Sequence, residues 1–150
     1  MALVYDLILI GDNSVEQVAE RALPNPDERP TGTPPLLRSA DLHERYGFNV
    51  SVLSRDIGYV AAESDNGMWE FEPDAHIAVT FYLDKSAELD WSITNMLTVI
   101  RRLLDSGDED ALLILDGDFL LLTRFGGTLT KHRRATWWDH FPTADETITG

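Results

Sequence analysis

Two glycine-containing turns in the last third of the chain constrain its fold most strongly. They separate three successive runs, ALLIL, FLLLTR and TLTKH, within residues 111–132. Asp116-Gly117 and Gly126-Gly127 occupy the turns, and both pairs suit a tight hairpin turn in which the two central residues take positive φ. Such a turn joins antiparallel neighbours. The sequence therefore predicts a C-terminal β-meander.

The remaining strand signals lie in the first 83 residues. Residues 2–10 form an apolar run that is typical of a buried strand. Residues 76–83 alternate between two faces with period two. FNVSVLSR (48–55) alternates in the same way, and we expect it to pair with IGYVAAES (57–64) across a turn near Asp56.

Two segments carry the apolar spacing of an amphipathic helix. The first, residues 14–23, begins with Ser14 and Gln17 at the spacing of a capping box. The second, residues 90–104, places its apolar side chains on one stripe and is followed by Gly107, which can end a helix.

Together these elements predict an α+β fold in a single domain, residues 1–150. We expect an antiparallel sheet of about six strands, two helices packed on one face, and the C-terminal meander. Five of the seven prolines fall in residues 24–35, so this proline-rich segment is expected to be a long surface loop.

The composition argues against several classes of function. The chain has no cysteine, which excludes disulfides and thiolate chemistry. Its formal net charge of −14 disfavours nucleic acid and anionic lipid as partners and favours a basic protein. A solubilising or salt-adapted surface is the alternative explanation of this charge. Without a basic N-terminal region or a long apolar run, we expect no signal peptide, no membrane span and a cytoplasmic location.

No sequence signature of catalysis or metal binding is present. The four histidines lack metal-ligand spacing, and the chain has no phosphate-binding glycine loop, serine elbow or dinucleotide fingerprint. DSGDEDALLILD places apolar residues where a calcium loop needs ligands. We therefore expect no catalytic residue, no metal and no cofactor, while a carboxylate pair in a cleft stays open as an alternative.

Charge is distributed unevenly along the chain. Residues 56–118 hold fifteen acids and three bases, whereas residues 119–138 hold four bases and no acid. KHRRATWWDHFP sets three of these bases, Lys131, Arg133 and Arg134, beside Trp137 and Trp138; arginine and tryptophan are residue types found at interface hot spots. Two tryptophans that fold a C-terminal tail over the core would give the same pattern, and this is the favoured interpretation. MWEFE, residues 68–72, indicates either a binding surface or an edge strand.

The arrangement VTFYLDK…MLTVIRRLL…GDEDALLILDGDFLLLTRFGGTLTKH…WW, with YDLILI and SVEQVAERAL before it, resembles a known family. It is similar to the small bacterial immunity proteins of the swarming-inhibition (Sit) toxin systems. The likeness covers residues 2–23 and 77–138 and consists of strand and turn patterns. It implies a non-enzymatic protein that neutralises a cognate toxin by direct binding, and the acidity favours a basic toxin. The resemblance assigns no site residue.

Charge clustering alone predicts where the toxin binds. Surface carboxylates can occupy the anion-binding cleft of a basic toxin and accelerate its association. The predicted contact residues are Asp108, Glu109, Asp110, Glu63, Asp65, Glu70 and Glu72. Two alternatives remain: a small-ligand-binding or structural domain, and an enzyme with a carboxylate site. An apolar cavity with converging polar groups and a buried carboxylate would favour these alternatives.

Overall fold

The computed structural model describes residues 3–39, 41–84 and 88–150, and its strands form one sheet. The described strands are β1 Leu3–Ile10, β2 Thr31–Thr33, β3 Leu36–Arg38, β4 Phe48–Arg55, β5 Val60–Ser64, β6 Gly67–Phe71, β7 His76–Leu83, β8 Ala111–Leu115, β9 Phe119–Phe125 and β10 Thr128–Lys131. The helices are α1 Val15–Ala22, α2 His43–Tyr46, α3 Leu89–Asp105 and α4 Pro142–Thr147, with a 3-10 turn at Trp138–His140.

The first strand in chain order lies in the middle of the sheet. β1 pairs antiparallel with β7 on one side and with β8 on the other. The strand order is β2-β3-β4-β7-β1-β8-β9-β5-β6, and β10 pairs with the second half of β9. β5 meets β9 in parallel at Glu63 and Phe119, while the other described pairs are antiparallel. The sheet is therefore mixed.

The main core lies between the sheet and the helices α1 and α3. Ser14 caps α1, because its Oγ accepts a hydrogen bond of 3.1 Å from the Gln17 N–H. The helix turns four small or β-branched side chains inward: Val15, Val18, Ala19 and Ala22. The apolar stripe of α3 is likewise buried: Ile93, Met96, Leu97, Ile100, Leu103 and Leu104. Both predicted helices thus pack into the same core.

The other face of the sheet is covered by protein only in part. The hairpin β5–β6 packs over the β8–β9 side and encloses a smaller cluster that includes Ala62 and Leu112. The rings of Trp69, Phe71 and Phe125 lie 5.6 to 6.4 Å apart, centroid to centroid. The face formed by β3, β4, β7 and β1 lines an open cleft.

The two adjacent tryptophans anchor the C-terminal segment in the core. Trp138 is 0% exposed and Trp137 is 6% exposed. Leu121 is an extra residue in β9, where the register with β8 shifts, and its carbonyl accepts a 2.9 Å hydrogen bond from Trp138 Nε1. Trp137 Nε1 donates to the Tyr5 hydroxyl at 3.1 Å. The predicted packing of a C-terminal tail over the core is confirmed.

The predictions based on local pattern are confirmed. The protein has an α+β fold with a C-terminal meander, and both hairpin turns form as expected. The positive φ angles are 53° and 74° at Asp116 and Gly117, and 57° and 83° at Gly126 and Gly127.

The predicted number of elements and one predicted pairing are wrong. Within the described residues, the sheet has ten strands rather than about six and is mixed rather than antiparallel, and there are four helices rather than two. β4 pairs with β3 and β7, whereas β5 pairs with β6 and β9, so the expected β4–β5 hairpin does not form. Residues 31–33 of the proline-rich segment form the edge strand β2, and MWEFE forms most of the edge strand β6. Three-residue strands are too short to show a periodic pattern.

Candidate functional site

A cleft of about 470 Å³ opens on the partly covered face of the sheet. Side chains of β3, β4, β7 and β1 line it from the sheet, and the segment 58–60 with Pro73 completes the lining. Side chains that project from one face of adjacent strands are held at fixed spacing by the ladder. The cleft therefore has a rigid floor.

Four polar residues cross this floor in one row. The register sets Arg38 opposite Ser51, Ser51 opposite Thr80, and Thr80 opposite Asp6. Neighbours in such a row are about 5 Å apart. The next row is apolar and contains Leu36, Leu53, Ala78 and Ile8. The cleft thus combines an apolar strip with a polar one.

Asp6 is the acid that lines the cleft, and it is partly buried. Burial raises its pKa above the ordinary value of 3.8, while the Thr80 hydrogen bond and the charge of Arg55 act in the opposite direction. Thr80 Oγ1 donates to Asp6 Oδ1 at 2.5 Å. The second carboxylate oxygen makes no hydrogen bond within the described residues.

His76 borders the cleft, and one of its ring nitrogens makes a hydrogen bond within the protein. Its Nδ1 lies 2.7 Å from the Asp74 carbonyl oxygen, and the residue is 4% exposed. Since a carbonyl only accepts, Nδ1 carries the hydrogen and Nε2 of the neutral ring is an acceptor. A Cβ at position 58 would lie 2.8 Å from His76 Cε1, so Gly58 leaves room for the ring.

Asp6 and His76 are too far apart to exchange a proton directly. Asp6 lies opposite Thr80, whereas His76 lies opposite Ile10, four residues further along β1. Four residues of a strand span about 13 Å, well beyond hydrogen-bond reach. The geometry therefore favours ligand binding over acid–base catalysis by this pair.

The structure separates the seven predicted contact acids into two groups. Ala111 pairs with Arg124 near one end of β9, so the loop 108–110 lies there, whereas Glu63 pairs with Phe119 at the other end. Five residues of strand separate the two places by about 17 Å. Asp108, Glu109 and Asp110 form the loop group, and Glu63, Asp65, Glu70 and Glu72 form the hairpin group.

Two acids of the loop group bind the protein itself. Glu109 accepts hydrogen bonds from Arg21 at 2.5 and 3.0 Å and from Asn13 at 2.9 Å, and its side chain is 9% exposed. Burial acts to raise the pKa of Glu109, but the bonds from Arg21 outweigh it, so the pKa is lowered. Asp110 accepts a 2.9 Å bond from the Gly126 N–H. Asp108 is exposed.

The hairpin group lies on and beside β5–β6, and all four acids are exposed. Glu63 Oε2 is 3.9 Å from Arg133 Nη1, and Asp65 accepts a 2.8 Å hydrogen bond from the Arg133 N–H. Glu70 accepts a 3.0 Å bond from the Tyr59 hydroxyl. Two large apolar side chains near these acids in the chain are exposed as well: Met68 is 69% exposed and Tyr59 is 60% exposed.

The SitI3-like family model matches residues 3–142. The chain belongs to the SitI3-like family. The match spans most of the chain, including the strands between residues 36 and 70 that the sequence resemblance left unassigned, and it confirms that resemblance. No curated protein and no solved structure matches the chain.

The cleft residues of this SitI3-like chain escaped the sequence analysis. Arg38, Arg55 and His76 come from three strands, and none of them stands in a motif. The available signal was Asp6, which interrupts an otherwise apolar central strand. A charge in the middle of a buried strand indicates a polar site on one of its faces.

Within residues 3–39, 41–84 and 88–150, no group of three or more His, Asp or Glu side chains is arranged to hold a metal ion. None of the helices in those ranges is long and apolar enough to cross a membrane.

Proposed function

We propose that this SitI3-like protein is a non-enzymatic immunity protein that neutralises a cognate toxin by direct binding. The observation that carries the proposal is the family match over residues 3–142. The resemblance to Sit immunity proteins supplies the role. The separation of about 13 Å between Asp6 and His76 argues against acid–base catalysis by this pair.

The hairpin β5–β6 is the proposed contact for a basic toxin. We define the acidic hairpin surface as Tyr59, Glu63, Met68, Glu70 and Glu72. Exposed apolar groups beside charged ones match the usual anatomy of an interface, in which a hydrophobic centre is surrounded by a polar rim. The carboxylates would accelerate association with a basic partner.

The aromatic packing beneath the hairpin supports this choice of surface. Successive side chains of a strand point to opposite faces, so Met68 and Glu70 face away from Trp69 and Phe71. The two aromatic rings pack with Phe125 of β9. The outward side chains are therefore presented on an anchored strand, which lowers the entropy cost of binding.

The loop group would contribute less to toxin binding than the clustering of its charges implies. Glu109 and Asp110 are engaged with Arg21 and Gly126, so they would have to break these bonds to reach a partner. Asp108 is the member of the loop that is exposed and free of such a bond within the described residues. Its role as a toxin contact remains a prediction.

A protection assay tests the immunity function. Each candidate toxin from a gene neighbouring this one is expressed in a sensitive bacterial host with and without the protein, and survival is counted. The purified pair is then measured by biolayer interferometry at low and at moderate salt. We expect rescue of growth and a complex whose association rate falls as salt rises. Failure to rescue, together with no measurable complex, would overturn the proposal.

A matched pair of charge-reversal variants tests the surface. The first combines Glu63→Lys, Glu70→Lys and Glu72→Lys, and the control combines Asp12→Lys, Glu16→Lys and Glu20→Lys at exposed positions in and before α1. Both triples change the net charge equally, so long-range attraction weakens alike. We expect the hairpin triple to weaken binding by roughly 100-fold beyond the control. Equal effects of the two triples would show that the hairpin is not the contact.

A further inference from the structure

The strand β6 forms one end of the sheet, and its outer edge is unpaired. Within the described residues, β6 pairs only with β5, from Val60 opposite Phe71 to Ser64 opposite Gly67. Its residue Met68 is exposed to solvent. The outer edge of such a strand presents backbone N–H and C=O groups that can pair with another chain.

A hydrogen bond of β5 shows which groups of β6 point to the open edge. The Glu63 N–H donates at 2.7 Å to the carbonyl of Asp118, which precedes β9, the other neighbour of β5. Glu63 therefore bonds away from Met68, the residue opposite it in β6. Bonded and non-bonded pairs alternate along an antiparallel ladder, so Met68 and Glu70 both belong to non-bonded pairs. Their N–H and C=O groups point outward.

The edge of β6 lacks the features that usually block the addition of a strand. Proteins protect sheet edges with proline, lysine, bulges or very short strands. β6 has the five residues GMWEF, without proline or lysine, and its register with β5 is continuous. At the other end of the sheet, β2 has only three residues. Of these two ends, β6 is the better able to accept a further strand.

The acids beside this edge determine the charge of the strand that it accepts. Met68, Glu70 and Glu72 share the outward face of the hairpin, and Glu63 lies opposite Met68 on the same face. Pairing with a second copy of β6 would set glutamates beside glutamates, and two chains of net charge −14 repel each other. Basic side chains on this face would be attracted. The edge therefore disfavours self-association and favours a basic strand.

The other face of β6 adds an apolar requirement. Trp69 and Phe71 point to that face, pack with Phe125 and are only partly buried. The side chains of an added strand alternate between the two faces, so one set would lie beside the glutamates and the other beside the aromatic rings. A matching strand thus alternates basic and apolar residues.

We propose that an extended segment of the cognate toxin, alternating basic and apolar residues, adds to β6 as a further strand of the sheet. This inference rests on the proposed immunity function and specifies how the acidic hairpin surface binds. Backbone bonds to Met68 and Glu70 provide affinity, and the alternating side chains provide specificity.

Amide hydrogen exchange measured by NMR on the purified full chain tests the edge without any toxin. The probe is a synthetic peptide of about seven residues in which lysine and valine alternate. One control peptide keeps the same side chains but carries N-methyl groups on its three central residues, which removes the backbone donors. A second control has glutamate in place of lysine.

The exchange pattern distinguishes backbone pairing from side-chain contact alone. With the alternating peptide at millimolar concentration, exchange of the Met68 and Glu70 amides should slow about tenfold or more. The amides of Trp69 and Phe71 should change little, because they already bond β5 in the free chain. Neither control peptide should slow exchange at Met68 and Glu70.

Two substitutions at one position test the role of the backbone donor. Glu70→Pro removes the outward N–H, and Glu70→Gln is its matched control, which loses the same charge but keeps the N–H. Proline is tolerated in an edge strand where the N–H faces solvent. Glu70→Pro should bind the alternating peptide about tenfold or more weakly than Glu70→Gln. Thermal melting verifies that each variant is folded, and exchange in the unsubstituted chain remains decisive if one is not.

Three results with the alternating peptide would each overturn the inference. They are unchanged exchange at Met68 and Glu70, equally tight binding of the N-methylated peptide, and equal affinity of the two folded variants. Rescue of growth by a chain whose Met68 and Glu70 amides gain no protection in the toxin complex would overturn the inference alone. Protection of both amides by the peptide without any rescue would overturn the immunity function instead and leave the edge as a docking site for a basic strand.

Discussion

Substitution of Glu109 by alanine should destabilise the fold. Charge clustering selected this residue as a toxin contact, yet its side chain is only 9% exposed. It accepts hydrogen bonds of 2.5 and 3.0 Å from Arg21 and one of 2.9 Å from Asn13. These bonds connect α1 and Asn13, two residues before its start, to the loop that precedes β8. Glu109→Ala removes all three.

The size of the effect follows from what remains around Arg21. Removing one partner of a buried ion pair costs about 3–5 kcal/mol. Arg21 is 20% exposed and keeps its bonds to Ser106 Oγ at 2.9 Å and to the Leu103 carbonyl at 2.7 Å. Its charge therefore stays partly satisfied, and we expect a loss of about 2–3 kcal/mol in the free energy of unfolding at pH 7.

Urea unfolding followed by tryptophan fluorescence measures this loss, because Trp137 and Trp138 are buried in the core. With a slope of about 2 kcal/mol per molar urea, the midpoint should fall by about 1–1.5 M. Asp108→Ala is the matched control, since the neighbouring Asp108 is exposed. The control should stay within about 0.5 kcal/mol of the wild type.

The pH dependence gives a second measure of the same interaction. The pKa of Glu109 is lowered from its ordinary value of 4.5 in the folded protein. Its stabilising effect is therefore present above pH 4.5 and is lost as the pH falls through the lowered pKa. The difference between wild type and Glu109→Ala should shrink in acid. A midpoint within about 0.2 M of the wild type at pH 7 would refute the reasoning.

Four further substitutions test other parts of the molecule. Lys131→Met removes an ammonium group that is 3% exposed and binds Asp145 at 2.6 Å, so hydrogen exchange in α4 should accelerate and about 2–3 kcal/mol of stability should be lost; unchanged exchange would contradict this. Asp6→Asn should stabilise the protein at pH 7, because the raised pKa of Asp6 means that its ionisation opposes folding. This gain should disappear below its ordinary pKa of 3.8, and equal melting temperatures of the two proteins at pH 7 would count against it. Gly47→Ala, at φ 83°, would overlap a serine side chain on α3 and should cost more than about 3 kcal/mol. Gly67→Ala, at φ 101° in open space, should cost only about 1 kcal/mol, and equal losses in thermal melting would refute the steric argument.

Elements defined by nearby residues were predictable from the sequence. The meander turns need only positive φ at two adjacent positions, and Asp116-Gly117 supplies it. The stripe on α3 needs only helical spacing. The prediction that β4 pairs with β5 was wrong because β4 pairs with β7 and β5 pairs with β9. These partners lie about 30 and 60 residues later in the chain. The residue pattern within one segment does not show which distant strand that segment will pair with.

The candidate sites were less predictable than the fold. Glu109 was predicted to contact the toxin because the sequence does not show that it binds Arg21, which lies 88 residues away in the chain. The cleft brings Arg38, Arg55 and Asp6 together through three strand pairings, so it exists only once the sheet order is known. A count of charges along the chain cannot distinguish a carboxylate that binds an arginine from one that faces water.

The central position of β1 has a consequence for synthesis of the protein. β1 is made about 70 to 80 residues ahead of its partner residues in β7, and about 100 to 110 residues ahead of those in β8. Synthesis proceeds at about 5–20 residues per second, so the edges of this apolar strand stay unpaired for roughly 4 to 20 s while the ribosome makes the rest of the chain. Unpaired apolar strands aggregate readily. A product truncated before β7 therefore presents β1 uncovered, and such fragments should be substrates for chaperones and proteases.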